Sequence, residues 1–107
     1  MSTPVDEMSD VFKLLGDKTR LTIISLLKGQ SELCVCEIVD YLQTTQPNVS
    51  QHLRKLKSAG LVSEKRKGQW IYYTLTLEDK PYLQGVLEHL PSLKQETACC
   101  NVTDRQK

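Results

Sequence analysis

The sequence predicts a small, mainly α-helical domain with one β-hairpin, in the element order of a winged helix-turn-helix protein. Three observations predict it. Four segments with helical features come first, the short third one turns into a basic fourth one, and two β-favouring runs precede a last helix. A chain of 107 residues holds only one modest core. We therefore expect one domain over residues 1–94 and a flexible C-terminal tail over residues 95–107.

The first three helices are predicted from apolar spacing and from stop signals. Residues 5–15 repeat apolar side chains at i, i+3, i+4 and i+7, the pattern of an amphipathic helix. Residues 18–28 are apolar around most of the helical circumference, which predicts a core helix stopped by Gly29. Ser31 is a candidate N-cap for a short third helix over residues 32–43.

The fourth helix follows a threonine pair that can cap it and ends before Gly60. On a helical wheel, Val49, Leu53 and Leu56 share one face, while the opposite face is polar and basic and carries no acid. An α-helix of this kind fits the major groove of DNA. We expect DNA contacts from this helix by Gln46, Asn48, Ser50, Gln51, His52, Arg54, Lys55 and Lys57. His52 borders the apolar face, which favours a packing role for it.

Two β-favouring runs, 61–65 and 70–75, flank the segment Arg66-Lys67-Gly68-Gln69 and predict a two-stranded hairpin with a basic turn. Such a hairpin reaches the DNA backbone or the minor groove beside the fourth helix. The expected contacts of this wing are Lys65, Arg66, Lys67 and Gln69.

The formal net charge of +1 conceals a strong local asymmetry. Residues 44–72 carry six basic side chains and one acidic one, a balance of +5, between two segments in which acids predominate. A local excess of this size is typical of a phosphate-binding surface. A solvated charged face without a partner is the alternative that charge alone leaves open.

A last amphipathic helix is predicted over residues 79–94. Together with the first helix it offers more apolar surface than one small core needs, which favours a two-fold dimer on a roughly palindromic site in double-stranded DNA. The alternative is that both apolar stripes close the core of a monomer. The candidate interface residues are Met8, Val11, Phe12, Leu15, Leu83, Val86, Leu87 and Leu90.

Composition excludes several other classes of protein. No apolar run approaches the roughly 20 residues of a membrane span, and the first ten residues lack the features of a secretory signal, so we expect a cytoplasmic protein without a membrane partner. The only histidines, His52 and His89, are better explained by packing or surface placement than as a general base beside a nucleophile, which argues against a thiol enzyme.

Four cysteines, Cys34, Cys36, Cys99 and Cys100, carry the remaining chemistry. In a reducing cytosol, thiolates are natural ligands for soft ions such as trivalent arsenic, antimony, cadmium or lead. We expect Cys34 in the first turn of the third helix, where the helix dipole favours a thiolate. Positions i and i+2 of a helix lie about 200° apart, so joint chelation by Cys34 and Cys36 requires the helix start to unwind. Two half-buried small side chains, or a thiol pair that responds to oxidants, are the alternatives.

The sequence resembles the ArsR/SmtB family of bacterial metal-sensing repressors over about residues 8–93. The resemblance rests on three segments, Glu32-Leu33-Cys34-Val35-Cys36-Glu37-Ile38, Gln46-Pro47-Asn48-Val49-Ser50-Gln51-His52-Leu53 and Ala59-Gly60-Leu61-Val62. It implies a homodimeric repressor that leaves operator DNA when its inducer binds and that controls a resistance operon.

Within that resemblance, Cys34 and Cys36 match the inducer-binding pair. Some arsenite-responsive members have a third cysteine where this chain has Val39. Zinc-responsive members use Asp and His on the last helix, where this chain has His89 without a partner histidine. Cadmium- and lead-responsive members add N-terminal cysteines, of which this chain has none. The resemblance thus favours arsenite or antimonite as inducer, with Cd(II) or Pb(II) as the alternative. Cys99 and Cys100 are candidate further thiolates.

Overall fold

The computed structural model describes residues 4–78, 80–91 and 93. The elements follow one another as α1 (Pro4–Leu15), α2 (Lys18–Gly29), β1 (Leu33–Cys34), α3 (Val35–Leu42), α4 (Gln46–Ser58), β2 (Val62–Lys67), β3 (Trp70–Leu75) and α5 (Leu83–His89). Within these residues, no helix is long and apolar enough to cross a membrane. The tail that contains Cys99 and Cys100 lies outside the described residues.

Helix α2 forms the centre of the core, as its apolar circumference predicts. The side chain of Asp17 caps the helix by accepting a hydrogen bond from the backbone N–H of Arg20. Residues 23–27 are all buried. Gly29 belongs to the helix rather than stopping it, because the cap is Gln30 in an extended conformation. Glycine is needed there for a different reason, since a Cβ atom would lie 2.0 Å from the carbonyl oxygen of Leu93.

The predicted start of the third helix, at residue 32, is wrong. Residues 33–34 form a short strand, and α3 begins only at Val35, with Cys34 rather than Ser31 as its N-cap. Strand β1 pairs with β3, which lies nearly forty residues later in the chain. This pairing replaces the predicted first helical turn. The helix ends at Gln43, which adopts the left-handed conformation with φ of 56°.

The sheet has three antiparallel strands in the order β1-β3-β2, whereas the sequence predicts two. Leu33 pairs with Tyr73 and Cys34 with Tyr72. Strands β2 and β3 form the wing, and the predicted basic turn is shorter than expected, because Arg66 and Lys67 still belong to β2. The remaining two turn residues begin with Gly68 at φ of 64°, a conformation that favours glycine in tight hairpins.

Helix α5 covers only residues 83–89 of the predicted 79–94. A residue before a proline is driven out of the helical region, and Leu90, before Pro91, is extended with ψ of 140°. Lys28 of α2 donates hydrogen bonds to the carbonyl oxygens of Leu87 and Leu90, the latter at 2.8 Å. This contact fixes the end of α5 against the core.

Helices α1 and α5 place some of their apolar side chains in the core and others on the surface. Val11, Leu15 and Leu83 are buried within the protomer, which fits the alternative that the stripes close the core. Phe12 and Val86 remain 43% and 37% exposed. Among the other candidate interface residues, Met8, Leu87 and Leu90 are half-buried. The apolar surface left on the outside is therefore smaller than the sequence predicts.

Candidate ligand site and nucleic-acid interface

Helix α4 has the two faces that the sequence predicts. The side chain of Thr45 caps it by accepting a hydrogen bond of 3.3 Å from the backbone N–H of Asn48. Val49, Leu53 and Leu56 are fully buried, which confirms the predicted inner face. Most predicted DNA contacts are exposed on the helix, namely Gln46, Asn48, Gln51, Arg54, Lys55 and Lys57, whereas Ser50 is half-buried.

His52 is half-buried on α4 and is linked to the start of α2. Its Nδ1 lies 3.1 Å from Nη1 of Arg20, whose Nε donates to the carbonyl oxygen of Leu14 at 2.8 Å. The hydrogen bond from the Arg20 backbone N–H keeps the pKa of Asp17 below its usual value. The structure thus gives His52 a position between α4 and the core, where it helps to orient α4.

The wing presents Lys65, Arg66, Lys67 and Gln69 on exposed positions. Lys67 forms an ion pair with Glu32 and lies 5.2 Å above the ring of Tyr72. Lys57 of α4 forms an ion pair of 3.4 Å with Glu64 of β2. Part of the basic charge predicted for DNA is therefore matched by acids within the described part of the chain.

Cys34 and Cys36 are brought together at the start of α3. Cys34 is 1% exposed and extended, and its backbone N–H donates to Oε1 of Glu37 at 2.9 Å. Its Sγ lies 2.8 Å from Sγ of half-buried Cys36. Because Cys34 precedes the helix, the 200° argument does not apply, and no unwinding is needed to place both sulfur atoms on one side.

Burial raises the pKa of the Cys34 thiol, and this outweighs the hydrogen bonds from backbone N–H groups of the first turn. The negative charge of Glu37 acts in the same direction as burial. The expected stabilisation of a thiolate by the helix dipole is therefore wrong for Cys34, which is held in its neutral thiol form.

The cysteine pair opens into a cleft of about 280 Å³ between α4 and the wing. Its lining residues come from α3, α4 and the hairpin and are Cys34, Val35, Cys36, Gln46, Ser50, Gln69, Trp70, Ile71 and Tyr73. A ligand on the two sulfur atoms would therefore lie beside both α4 and the wing. Within the described residues, no group of three or more His, Cys, Asp or Glu side chains is placed to hold a metal ion.

Sequence reasoning missed three contributors to this site. Trp70 and Tyr72 pack against Cys34, and Glu32 connects the segment before α3 to the wing. Alternation along β3 places Trp70 and Tyr72 on one face of the strand, and this was visible in the sequence. Their contact with the cysteines depends on strand β1, which was not predicted.

The comparisons with known proteins agree on one family. The model of the arsR family of bacterial regulatory proteins matches residues 17–64. The chain is also similar to an arsenic resistance transcriptional regulator of Pseudomonas putida, with 41% identity over 86 residues, or 80% of this chain and 67% of that protein. The chain belongs to the arsR family.

Two further proteins are similar to this chain in sequence or in structure. A cadmium resistance transcriptional regulatory protein homolog of Staphylococcus aureus is 38% identical over 72 residues, which cover 67% of this chain and 59% of that protein. The homodimeric winged helix-turn-helix DNA-binding domain Mb0332 of Mycobacterium bovis has a TM-score of 0.68 and 32% identity, covering 82% and 84% of the two chains. Membership confirms the predicted fold and a transcriptional regulator rather than an enzyme.

Proposed function

We propose that the protein is a cytoplasmic, homodimeric repressor that binds operator DNA and is released by arsenite or antimonite, which derepresses a resistance operon. The observation that carries the proposal is the shared cleft. Cys34 and Cys36, the start of α4 and the wing all line it, so that an inducer on the sulfur atoms meets the DNA-reading elements directly. Relatives named for arsenic resistance support the choice of inducer.

DNA binding is assigned to α4 and the wing. The exposed face of α4 enters the major groove, where Gln46, Asn48 and Gln51 read base edges. The DNA phosphates beside the groove are contacted by the remaining side chains of α4 and the wing, namely Arg54, Lys55, Lys57, Lys65, Arg66, Lys67 and Gln69. The half-buried Ser50 lies between this face and the cleft, and His52 orients the helix through Arg20.

Dimerisation is assigned to the surface formed by α1 and α5. Phe12, 43% exposed, packs edge to face on Tyr82 at 6.0 Å, and Val86 is exposed on the neighbouring helix. Covering these side chains with a second copy would remove apolar surface from water. Met8, Leu87 and Leu90 extend the surface, whereas Val11, Leu15 and Leu83 support it from the core.

The donor set fits a thiophilic inducer. Two sulfur atoms that share one ion at a metal–sulfur distance of roughly 2.3 Å must lie within about 4.6 Å of each other, and Sγ of Cys34 and Sγ of Cys36 are 2.8 Å apart. Cys99 and Cys100 are further candidate donors for inorganic arsenite, from the tail of either protomer. An ion between the two sulfur atoms would move them apart from their separation of 2.8 Å, so the start of α3 would adjust to the inducer.

A movement at the start of α3 reaches α4 through the chain and the wing through the hydrogen bonds between β1 and β3. The backbone of Cys34 pairs with Tyr72 in β3, so the cysteine position is fixed to the wing. Eight-residue α3 then leads through the Gln43 turn into α4. A shift at Cys34 therefore changes the placement of α4 relative to the wing. The inducer lowers DNA affinity to the extent that it binds the shifted arrangement more tightly than the arrangement that binds DNA.

A fluorescence-anisotropy titration on operator-like DNA tests the proposal. Arsenite, antimonite, cadmium, lead and zinc are added in turn to the reduced protein. We expect arsenite and antimonite to release DNA from the wild type and to fail with Cys34→Ser/Cys36→Ser. Cys99→Ser/Cys100→Ser removes the same number of cysteines elsewhere and shows whether the tail contributes donors to the inducer. Arsenite-insensitive DNA binding by the wild type would refute the proposal.

A second candidate inducer is cadmium or lead. The cadmium resistance relative and the presence of four cysteines in the chain favour it. In the same titration, release by cadmium but not by arsenite would identify it. The buried thiol of Cys34 is a poor target for oxidants, because oxidants react with exposed thiolates of lowered pKa.

A further inference from the structure

His52 is held at one ring nitrogen by a side chain that can only donate hydrogen bonds. Nη1 of Arg20 lies 3.1 Å from Nδ1 of His52, and a guanidinium group cannot accept a hydrogen bond. Nδ1 must therefore be the acceptor and carry no proton. In a neutral imidazole the proton then lies on Nε2, so this contact determines the tautomer of the ring.

Arg20 is itself fixed by two other hydrogen bonds. Its backbone N–H donates to the carboxylate of Asp17 at 3.1 Å. Its Nε donates to the carbonyl oxygen of Leu14, near the C-terminal end of α1, at 2.8 Å. Because a guanidinium group is planar and rigid, these contacts also fix the direction of Nη1. The orientation of the His52 ring is therefore set at the junction of α1 and α2.

The second ring nitrogen of His52 lies on the side of the ring that points away from Arg20. His52 is half-buried, and within the described part of the chain its ring makes one hydrogen bond, at Nδ1, while Nε2 is not enclosed. Asn48 and Lys55 share this strip of α4, four residues before and three after, and both are exposed. Nε2–H is thus an oriented donor at the edge of the exposed face of α4.

We propose that Arg20 is a positioning residue for DNA binding, which holds His52 as the Nε2–H tautomer so that Nε2–H donates a hydrogen bond to a phosphate of the DNA backbone. This inference rests on the proposed binding of DNA by α4. His52 borders the buried face of the helix, which meets the wall of a groove, where the phosphates run, rather than its floor. The contact adds a directed hydrogen bond but no charge.

Nitrogen-15 NMR of the histidine-labelled full-length protein measures the tautomers at about pH 8, where histidine is ordinarily neutral. His89 is the internal reference, because its Nδ1 lies 2.9 Å from the carbonyl oxygen of Gly85 and must donate to it. We expect the proton on Nε2 in His52 and on Nδ1 in His89, and His89→Gln assigns the two sets of signals. A proton on Nδ1 of His52 in the wild type would overturn the inference.

Two substitutions separate the nitrogens of His52 in DNA binding. Asparagine keeps an acceptor close to the position of Nδ1 but has no group that reaches the position of Nε2, whereas glutamine places an amide N–H near that position. Fluorescence anisotropy of a labelled mixed-sequence duplex measures the affinity. We expect His52→Asn to weaken binding about tenfold for each protomer bound, with an unchanged salt slope because no charge is lost. His52→Gln should recover part of the loss.

Arg54→Gln is the matched control on the same helix. Arg54 is exposed on α4, and its replacement removes a charge rather than a neutral donor. It should weaken binding to the same duplex and lower the salt slope by about one. The salt slope therefore distinguishes the contact of a neutral histidine from that of a charged side chain.

Arg20→Lys tests the positioning role. A lysine keeps the charge but lacks the rigid fork that holds the Leu14 carbonyl and the His52 ring at once. It should weaken DNA binding severalfold in the wild type and have no further effect in His52→Asn, because Arg20 acts through the ring. Equal losses in both backgrounds would overturn the positioning role. Thermal melting verifies the fold of each variant, and the tautomer measurement on the wild type decides the inference if Arg20→Lys does not fold.

The outcomes distinguish this inference from the proposed function. If His52→Asn binds the duplex as tightly as the wild type while Arg54→Gln binds it more weakly, the phosphate contact of His52 is absent and DNA binding by α4 stands. A loss in His52→Asn with a lower salt slope would also overturn the inference, since the ring would then act as a charged group. If the wild type does not bind the duplex, both proposals fail.

Discussion

The protonation of Cys34 predicts that cadmium binding depends strongly on pH and that arsenite binding does not. Burial raises the pKa of this thiol, so it is protonated near neutral pH. Cadmium must displace the proton, and a fall in pH therefore weakens cadmium binding. Arsenite brings hydroxyl groups that take up the thiol protons and leave as water, so its binding releases no net proton.

The size of the difference follows from the proton count. One proton released per ion changes affinity about tenfold per pH unit below the thiol pKa. Between pH 6.0 and 7.5, Cys34 alone should therefore strengthen cadmium binding by about thirtyfold. Arsenite binding should change by less than about twofold over the same range.

Inducer titrations by fluorescence anisotropy at several pH values measure this difference. The affinity of the inducer-free protein for DNA is measured at each pH and used to correct the midpoints, because phosphate contacts also respond to solution conditions. Cys99→Ser/Cys100→Ser removes proton release from the tail. A cadmium midpoint that does not move with pH, or an arsenite midpoint that moves tenfold, would refute the assignment of a neutral thiol to Cys34.

Three further substitutions test other contacts. Thr45→Ala removes the cap of α4 and should cost about 1 kcal/mol, or about 4–8 °C in the melting temperature. Glu32→Gln frees Lys67 from its ion pair and should strengthen DNA binding at low salt, raising the salt slope by up to about one, while the melting temperature changes little. Gly29→Ala should destabilise the fold by about 1–3 kcal/mol in chemical denaturation, because its Cβ meets the Leu93 carbonyl.

Each of these has a clear contrary result. An unchanged melting temperature for Thr45→Ala would mean that the threonine hydroxyl does not stabilise α4. If Glu32→Gln leaves the salt slope as in the wild type, the freed lysine does not reach phosphate. Wild-type stability of Gly29→Ala would show that the segment at Leu93 moves aside without cost.

Much of the helical fold was predictable because periodic apolar side chains determine which face is buried. The burial of Val49, Leu53 and Leu56 follows from their spacing alone. Periodicity does not determine, however, whether an apolar face is covered by the core of the same protomer or by a second copy. Val11 and Leu83 have the same spacing as exposed Phe12 and Val86, yet they lie in the core of the protomer.

The ligand site was only partly predictable. The two cysteines stand out in the sequence, but their geometry depends on β1, a two-residue strand created by pairing with residues nearly forty positions later. Local propensity carries no information about such a partner. The predicted ends of α5, at residues 79 and 94, were wrong, although Pro81 and Pro91 bracket the helix that forms.

The wall shared by the inducer cleft and the wing also constrains how this protein diverges from its relatives. Trp70 and Gln69 belong to the hairpin and line the cleft at the same time. On the proposed function, a substitution that adapts the hairpin to a new operator also reshapes the space beside the cysteines. After gene duplication, two copies would therefore diverge in target sequence and in inducer preference together.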